Sequence, residues 1–157
     1  MQAAWTDRTD PDALHAAFPL APLRARRQEF GLDELHDVRA LITAAATAAG
    51  LSSSRTNDLM VAASELAANS ILYGGGRGLA TVWGEEGAIF AEIADAGTIT
   101  DPTVGRVRPD PTADHGRGLY IANRICDDVS IDSGPAGTRI RLRMDLDRDR
   151  TDRPTDR

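Results

Sequence analysis

The chain predicts an α+β fold, a two-layer sandwich of helices on one side of a sheet. Three observations predict it. Two amphipathic helical stretches come first and a third comes late. The strand-like runs come in adjacent pairs joined by short Gly-containing turns, which is hairpin chemistry. Helices and strands are therefore grouped and do not alternate one for one, which argues against a doubly wound parallel sheet. A length of 157 residues fits one domain with a real core.

The elements follow in order. Residues 1–25 are rich in Asp, Ala and Pro and read as a loosely ordered arm, with Pro11, Pro19 and Pro22 as breakers and a short helix around 11–17. Residues 24–30 can add an edge strand. Asp33 is the expected N-cap of a first helix that ends at Ala49, before Gly50. Its apolar stripe is Leu35, Val38, Leu41, Ile42, Ala45 and Ala49. Ser52 to Ser54 offer caps for a second helix over about 54–72, with the stripe Leu59, Ala62, Ala63, Leu66 and Ser70. Gly74, Gly75 and Gly76 stop it.

Strands are expected over 79–83 and 88–94, joined by the turn 84–87. Residues 97–115, with Pro102, Pro109 and Pro111, form a long loop without periodicity, and such loops are functional lids or disordered. A third helix should open at Gly116-Arg117-Gly118 and run to about Asp127. The last strands are expected over 129–133 and 138–144. Residues 147–157 alternate Asp and Arg and read as a solvated, disordered tail. The division is an arm (1–25), one domain (26–146) and a tail (147–157).

Composition excludes several chemistries. All 18 basic residues are Arg. Without Lys there is no Schiff-base lysine and no ordinary P-loop. A net charge of -6 argues against a non-specific nucleic-acid or anionic-membrane binder. Cys126 is the only cysteine, so neither an internal disulfide nor a Cys-rich zinc site can form, and it is expected as a core thiol. No apolar run approaches the ~20 residues of a membrane span. The start of the chain lacks a signal-peptide pattern, so the expectation is a cytoplasmic protein.

Glu65 and Asn69 are four residues apart in Ser64-Glu65-Leu66-Ala67-Ala68-Asn69-Ser70, inside an Ala-rich helical stretch. That spacing puts the two side chains about 40° apart on one helix face. Burying a carboxylate and a carboxamide is costly unless they find partners. A metal-bound nucleotide with an attacking hydroxyl or water would need both. The Asn69 carbonyl oxygen is a hard ligand suited to Mg²⁺, and Glu65 can take a proton.

Three further segments can join them. Asp95-Ala96-Gly97 ends a strand where the long loop begins. Asp95 is acceptor-only when ionised and can take an exocyclic amine such as that of adenine, with Gly97 keeping the wall thin. Gly116-Arg117-Gly118-Leu119 opens a helix whose first N–H groups and dipole suit a phosphate. Gly137-Thr138 starts the last strand, and the Thr138 hydroxyl can support Asp95 or bridge to the base through water.

In their order these four segments resemble the nucleotide-binding boxes of the GHKL ATPase superfamily, and within it the anti-sigma-factor serine kinases of bacterial partner-switching systems. The resemblance covers about 32–144. It implies a Bergerat-type ATP-binding fold, a mixed, mostly antiparallel sheet of four or five strands covered on one face by three helices, with ATP under a mobile lid. It implies ATP and Mg²⁺ as ligands and a homodimer. It also implies two protein partners, a sigma factor held inactive and an anti-sigma-factor antagonist phosphorylated on Ser, and so control of transcription without direct nucleic-acid or membrane contact. By this likeness Glu65 is the general base, Asn69 the Mg²⁺ ligand and Asp95 the adenine reader. Gly97, Gly116, Arg117, Gly118, Leu119 and Thr138 complete the nucleotide site.

The chain departs from the pattern in places. Ile99 stands where the fuller Asp-x-Gly-x-Gly pattern has its second glycine. The phosphate segment has two glycines behind His115. Tyr73-Gly74 replaces the His-Gly of many relatives, and the lid is short. Two other functions fit the same boxes. One is a non-catalytic ATP-dependent module that sequesters a partner. The other is a detached histidine-kinase ATPase domain, although neither His15 nor His36 lies in a heptad-patterned phospho-acceptor helix.

Overall fold

The computed structural model of the chain describes residues 18–99 and 117–146, with backbone alone at Arg117. The helix expected at 11–17, the loop 100–116 and the tail 147–157 lie outside the described residues.

The helical signals of the first half become α1 (Leu35–Ala49) and α2 (Ser53–Tyr73). Ser52 caps α2: its Oγ accepts the Arg55 N–H at 3.3 Å. The start of α1 differs from expectation. Leu32–Glu34 form a 3-10 turn, and α1 itself begins at Leu35 without a side-chain cap. Glu34, and not Asp33, supplies the acceptor, taking the Gly31 N–H at 3.2 Å. An acceptor there satisfies one of the donors that a helical start leaves open. Gly50 ends α1 with φ at 92°, and Leu51 N–H reaches back to the Ala46 carbonyl at 3.1 Å.

The strands are β1 (Arg26–Phe30), β2 (Gly78–Glu85), β3 (Ala88–Asp95), β4 (Asp128–Gly134) and β5 (Gly137–Asp145), with α3 (Arg117–Ile125) between β3 and β4. The β2–β3 turn is tighter than the four-residue turn expected. Only Glu86 and Gly87 lie outside the strands, at φ 50° and 76°. Two positive φ values in a two-residue loop match the right-handed twist of the flanking strands.

The sheet has five strands in the order β1-β2-β3-β5-β4. Every pairing among the described residues is antiparallel, which narrows the mixed sheet implied by the resemblance. The register aligns apolar rows across the strands. Ala80, Ile93, Ile140 and Ile131 form one row, and Val82, Ala91, Leu142 and Val129 the next. Strand alternation puts these rows on one face, and the helices cover that face. Val38, Ile42 and Ala46 of α1 join the same core cluster, as do Leu59, Ala62, Ala63 and Leu66 of α2 and Leu119 and Ala122 of α3. Among the described residues Phe30 is the one aromatic side chain in that cluster, so the core there is aliphatic, as the scarcity of aromatics requires. Cys126 packs against it half-buried, less enclosed than a core thiol would be.

One buried ion pair ties α3 to α2. Arg55 at the start of α2 meets Asp127 just beyond α3, with side chains 3% and 5% exposed. The same Asp127 Oδ2 accepts the Asp145 N–H of β5 at 2.7 Å. This joint fixes the far end of α3, whose other end carries the glycine segment. No helix among the described residues is long and apolar enough to cross a membrane.

Candidate nucleotide site

The site lies where α2, α3 and the end of β3 converge. Glu65 and Asn69 are both half-buried on α2. Gly118, in the first turn of α3, packs directly onto them. A Cβ built on Gly118 would lie 2.8 Å from Asn69 Nδ2 and 3.4 Å from Glu65 Cβ. Glycine is what allows this approach. The backbone N–H groups of Arg117, Gly118 and Leu119 belong to the first turn and lack intrahelical partners. The Leu119 side chain is 4% exposed and sits in the core, so only its backbone can serve the site. Gly116 lies outside the described residues.

Asp95, the last residue of β3, is half-buried and doubly held. Its Oδ2 accepts from Ser70 Oγ at 2.7 Å, and its Oδ1 from the Gly97 N–H at 2.8 Å. A carboxylate has roughly four acceptor positions, so two remain for a ligand donor. Space around it depends on glycines. A Cβ on Gly74 would overlap the Asp95 carboxylate, and one on Gly97 would lie 3.0 Å from Gly74 Cα. A Cβ on Gly137, at φ 121°, would overlap the Asp95 carbonyl oxygen.

Thr138 does not bond Asp95 directly. Its Oγ1 donates to the Gly97 carbonyl at 2.8 Å and pairs with Ser133 Oγ at 2.7 Å. Ser133 Oγ also accepts the Ile99 N–H at 2.8 Å. The proton directions follow from the end groups. A carbonyl only accepts, so the Thr138 proton goes to Gly97, and Ser133 must donate to Thr138. The chain Ile99 N–H, Ser133, Thr138, Gly97 C=O thus closes on the segment that leaves the site. Thr98 adds a bond from its Oγ1 to the Gly134 carbonyl at 3.0 Å. Ile99, where a hinge glycine would stand, is an anchor that also packs on the core.

The structure brings α2, the end of β3 and the start of α3 together, and sequence reasoning missed three side-chain roles. Ser70 was read as part of an apolar stripe, yet it is the hydroxyl that supports Asp95. Gly74 was read as a helix stop, yet its missing Cβ makes room for the carboxylate. Ser133 was not singled out. Buried polar groups demand partners, and Ser70 and Ser133 are polar residues at buried phases of their elements.

A half-buried carboxylate–carboxamide pair thus lies under a helix N-terminus, and a second carboxylate, Asp95, is bonded to Ser70 on the same helix, in an α+β sandwich. The profile of the histidine kinase-like ATPase domain matches residues 29–144, and the chain belongs to that family. It is an ATP-binding module of kinase-like fold.

Among solved structures it resembles the RsbU and RsbW domains of Rv1364c from Mycobacterium tuberculosis, with 20% identity and a TM-score of 0.61 over 82% of this chain. The chain spans 34% of the length of that relative. Two structures of the catalytic domain of histidine kinase ThkA also match, at 15% and 14% identity and TM-scores of 0.49 and 0.46, each over 77% of this chain and 96% and 97% of theirs. At 20% identity the likeness to Rv1364c is one of fold. No curated protein matches the chain.

Proposed function

We propose that this protein binds Mg-ATP and acts as a serine protein kinase in a partner-switching system, phosphorylating an anti-sigma-factor antagonist and holding a sigma factor inactive. The ATP-binding unit is residues 26–146, and the working form is a homodimer in the cytoplasm. The observation that carries the reading is the close packing of Gly118 on Glu65 and Asn69. It brings a carboxylate and a carboxamide side chain against the helix N-terminus, whose N–H groups suit phosphates.

The residues divide the work. Asp95 accepts from the exocyclic amine of adenine with the positions that Ser70 and Gly97 leave open. The first turn of α3 donates to phosphate oxygens. Glu65 takes the proton of the attacking Ser hydroxyl, whose oxygen bonds to the γ-phosphorus while the bond to the β–γ bridging oxygen breaks and ADP leaves. Mg²⁺ is commonly held by one or two protein oxygens together with phosphates and water. Asn69 Oδ1 is the protein oxygen suited to it, and the ion would supply charge neutralisation at the phosphates.

The test is transfer of labelled phosphate from ATP to candidate antagonists. The native chain should phosphorylate its antagonist on Ser, and Glu65→Ala should keep ATP affinity and lose transfer. Full-rate transfer by Glu65→Ala removes the base assignment. ATP binding and partner capture without transfer by the native chain would mean a non-catalytic sequestering module.

A further inference from the structure

The sheet has a second face, opposite the helices, and the chain's own Phe18 is seated on it. Arg139 and Arg141 alternate with the core residues Ile140 and Leu142, so both project from this open face. The Phe18 ring centroid is 4.4 Å from each guanidinium carbon. Arg139 Nη2 donates to the Phe18 carbonyl at 2.9 Å, and Arg141 Nη2 donates to the Pro19 carbonyl. Two arginines thus read one aromatic ring and two consecutive backbone carbonyls.

The arginines are held in place for this. Arg139 donates to Asp132 at 2.6 Å. Arg141 donates from Nε and Nη2 to Glu92 Oε2 at 3.0 and 2.8 Å, and Glu92 is 6% exposed. Their charge is balanced and their planes are set before any ring arrives, so a flat face is what they select. The stack continues inward. The Trp83 ring lies 4.9 Å from the Arg141 guanidinium, and Phe90 stacks on Trp83 at 5.3 Å and 9°.

The segment is lightly fastened between this anchor and β1. Its large apolar side chains, Leu20 and Leu23, are 82% and 97% exposed. Carbonyl contacts hold the rest, including Arg27 to Pro22 at 3.1 Å and Arg24 to Gly84 at 2.9 Å.

We propose that the open face of the sheet is a docking site for an extended peptide bearing an aromatic side chain, and that its resident is this chain's own Phe18-Pro19 segment, a strap that a competing segment must displace. The strap is tethered by a few residues, so its effective concentration is on the order of millimolar, and a free peptide reaches the site only when the strap is disabled. This reading stands apart from the kinase assignment, because no residue of the nucleotide site takes part in it.

The test uses the full-length protein in ¹H–¹⁵N spectra that follow the Trp83 indole N–H and the Nε–H signals of Arg139 and Arg141. Phe18→Ala should shift all three. A synthetic peptide of residues 14–25 should return them toward their native positions, and the same peptide with Ala at position 18 should not. The native chain should respond to the Phe-bearing peptide at least about tenfold more weakly than the Phe18→Ala chain. In a Phe18→Ala/Arg139→Lys double variant, which keeps the charge and loses the plane, the response should fall several-fold. The proposal is overturned if Phe18→Ala leaves the three signals in place, if the two peptides act alike, or if the double variant responds as fully as Phe18→Ala alone.

Discussion

Replacing Gly74 with alanine probes the adenine end of the site with a single methyl group. A Cβ there would overlap the Asp95 carboxylate and lie 2.8 Å from its Oδ1. Comfortable non-bonded separations are about 3.5 Å or more, so the head group must swing by about 1 Å. It cannot do so and keep both present bonds, to Ser70 Oγ at 2.7 Å and Gly97 N–H at 2.8 Å. A hydrogen bond to a charged acceptor contributes about 1.5–3 kcal/mol, and a displaced Asp95 also loses the bond proposed to the adenine amine. That loss alone is about 10- to 100-fold in Kd. Calorimetric titration with ATP and with inosine triphosphate, which has a carbonyl in place of the amine, reads both quantities. ATP affinity should drop at least about tenfold, and the preference over the inosine nucleotide should vanish. Gly84→Ala is the control: it is exposed, its nearest neighbour is the Ala88 carbonyl at 3.8 Å, and it should change neither. A folded Gly74→Ala protein with native affinity and native selectivity would refute Asp95 as the adenine reader.

Three other substitutions probe separate parts of the structure. Asn69→Ala should lower ATP affinity in Mg²⁺ to the value measured with a chelator and leave the chelator value unchanged. An undiminished response to Mg²⁺ would remove Asn69 as its ligand. Ser133→Ala strands the Ile99 N–H and takes the donor from Thr138, so it should destabilise by about 1–3 kcal/mol in urea melts. A cycle with Thr138→Val should show coupling of about 0.5–3 kcal/mol, and strict additivity would break the relay. Arg55→Met removes the cation beside the buried Asp127 and should cost about 3–5 kcal/mol. A change below about 1 kcal/mol would mean that the pair does not hold α3 to α2.

Much of the site was legible because its parts are local. Glu65 and Asn69 are paired by helix geometry alone, and a polar pair inside an Ala-rich stretch announces a demand for partners. Gly118 at a helix start and Asp95 before Gly97 are equally local signals. The cap of α1 was misread because Asp33 and Glu34 are both acidic and adjacent. Only the backbone path through the 3-10 turn decides which carboxylate reaches the Gly31 N–H. The sequence leaves Thr138 either to support Asp95 or to bridge to the base through water. Asp95 and Thr138 do pair in register and their side chains share a face, but the Thr138 proton goes to the Gly97 carbonyl and its oxygen takes the Ser133 donor.

By itself the sequence determined the elements of the described residues, their order, the apolar faces of the first two helices and the four segments proposed to bind the nucleotide. Capping, periodicity and turn formation act over a few residues and are written in consecutive positions. Tertiary structure decided that Ser70 supports Asp95, that Gly74 clears space for it, that Ser133 and Thr138 fasten the segment at Ile99, and that two arginines of β5 hold Phe18. Those pairings join residues 5 to 123 positions apart. They depend on sheet register and on how closely α2 meets α3 and the end of β3, and no local rule specifies either.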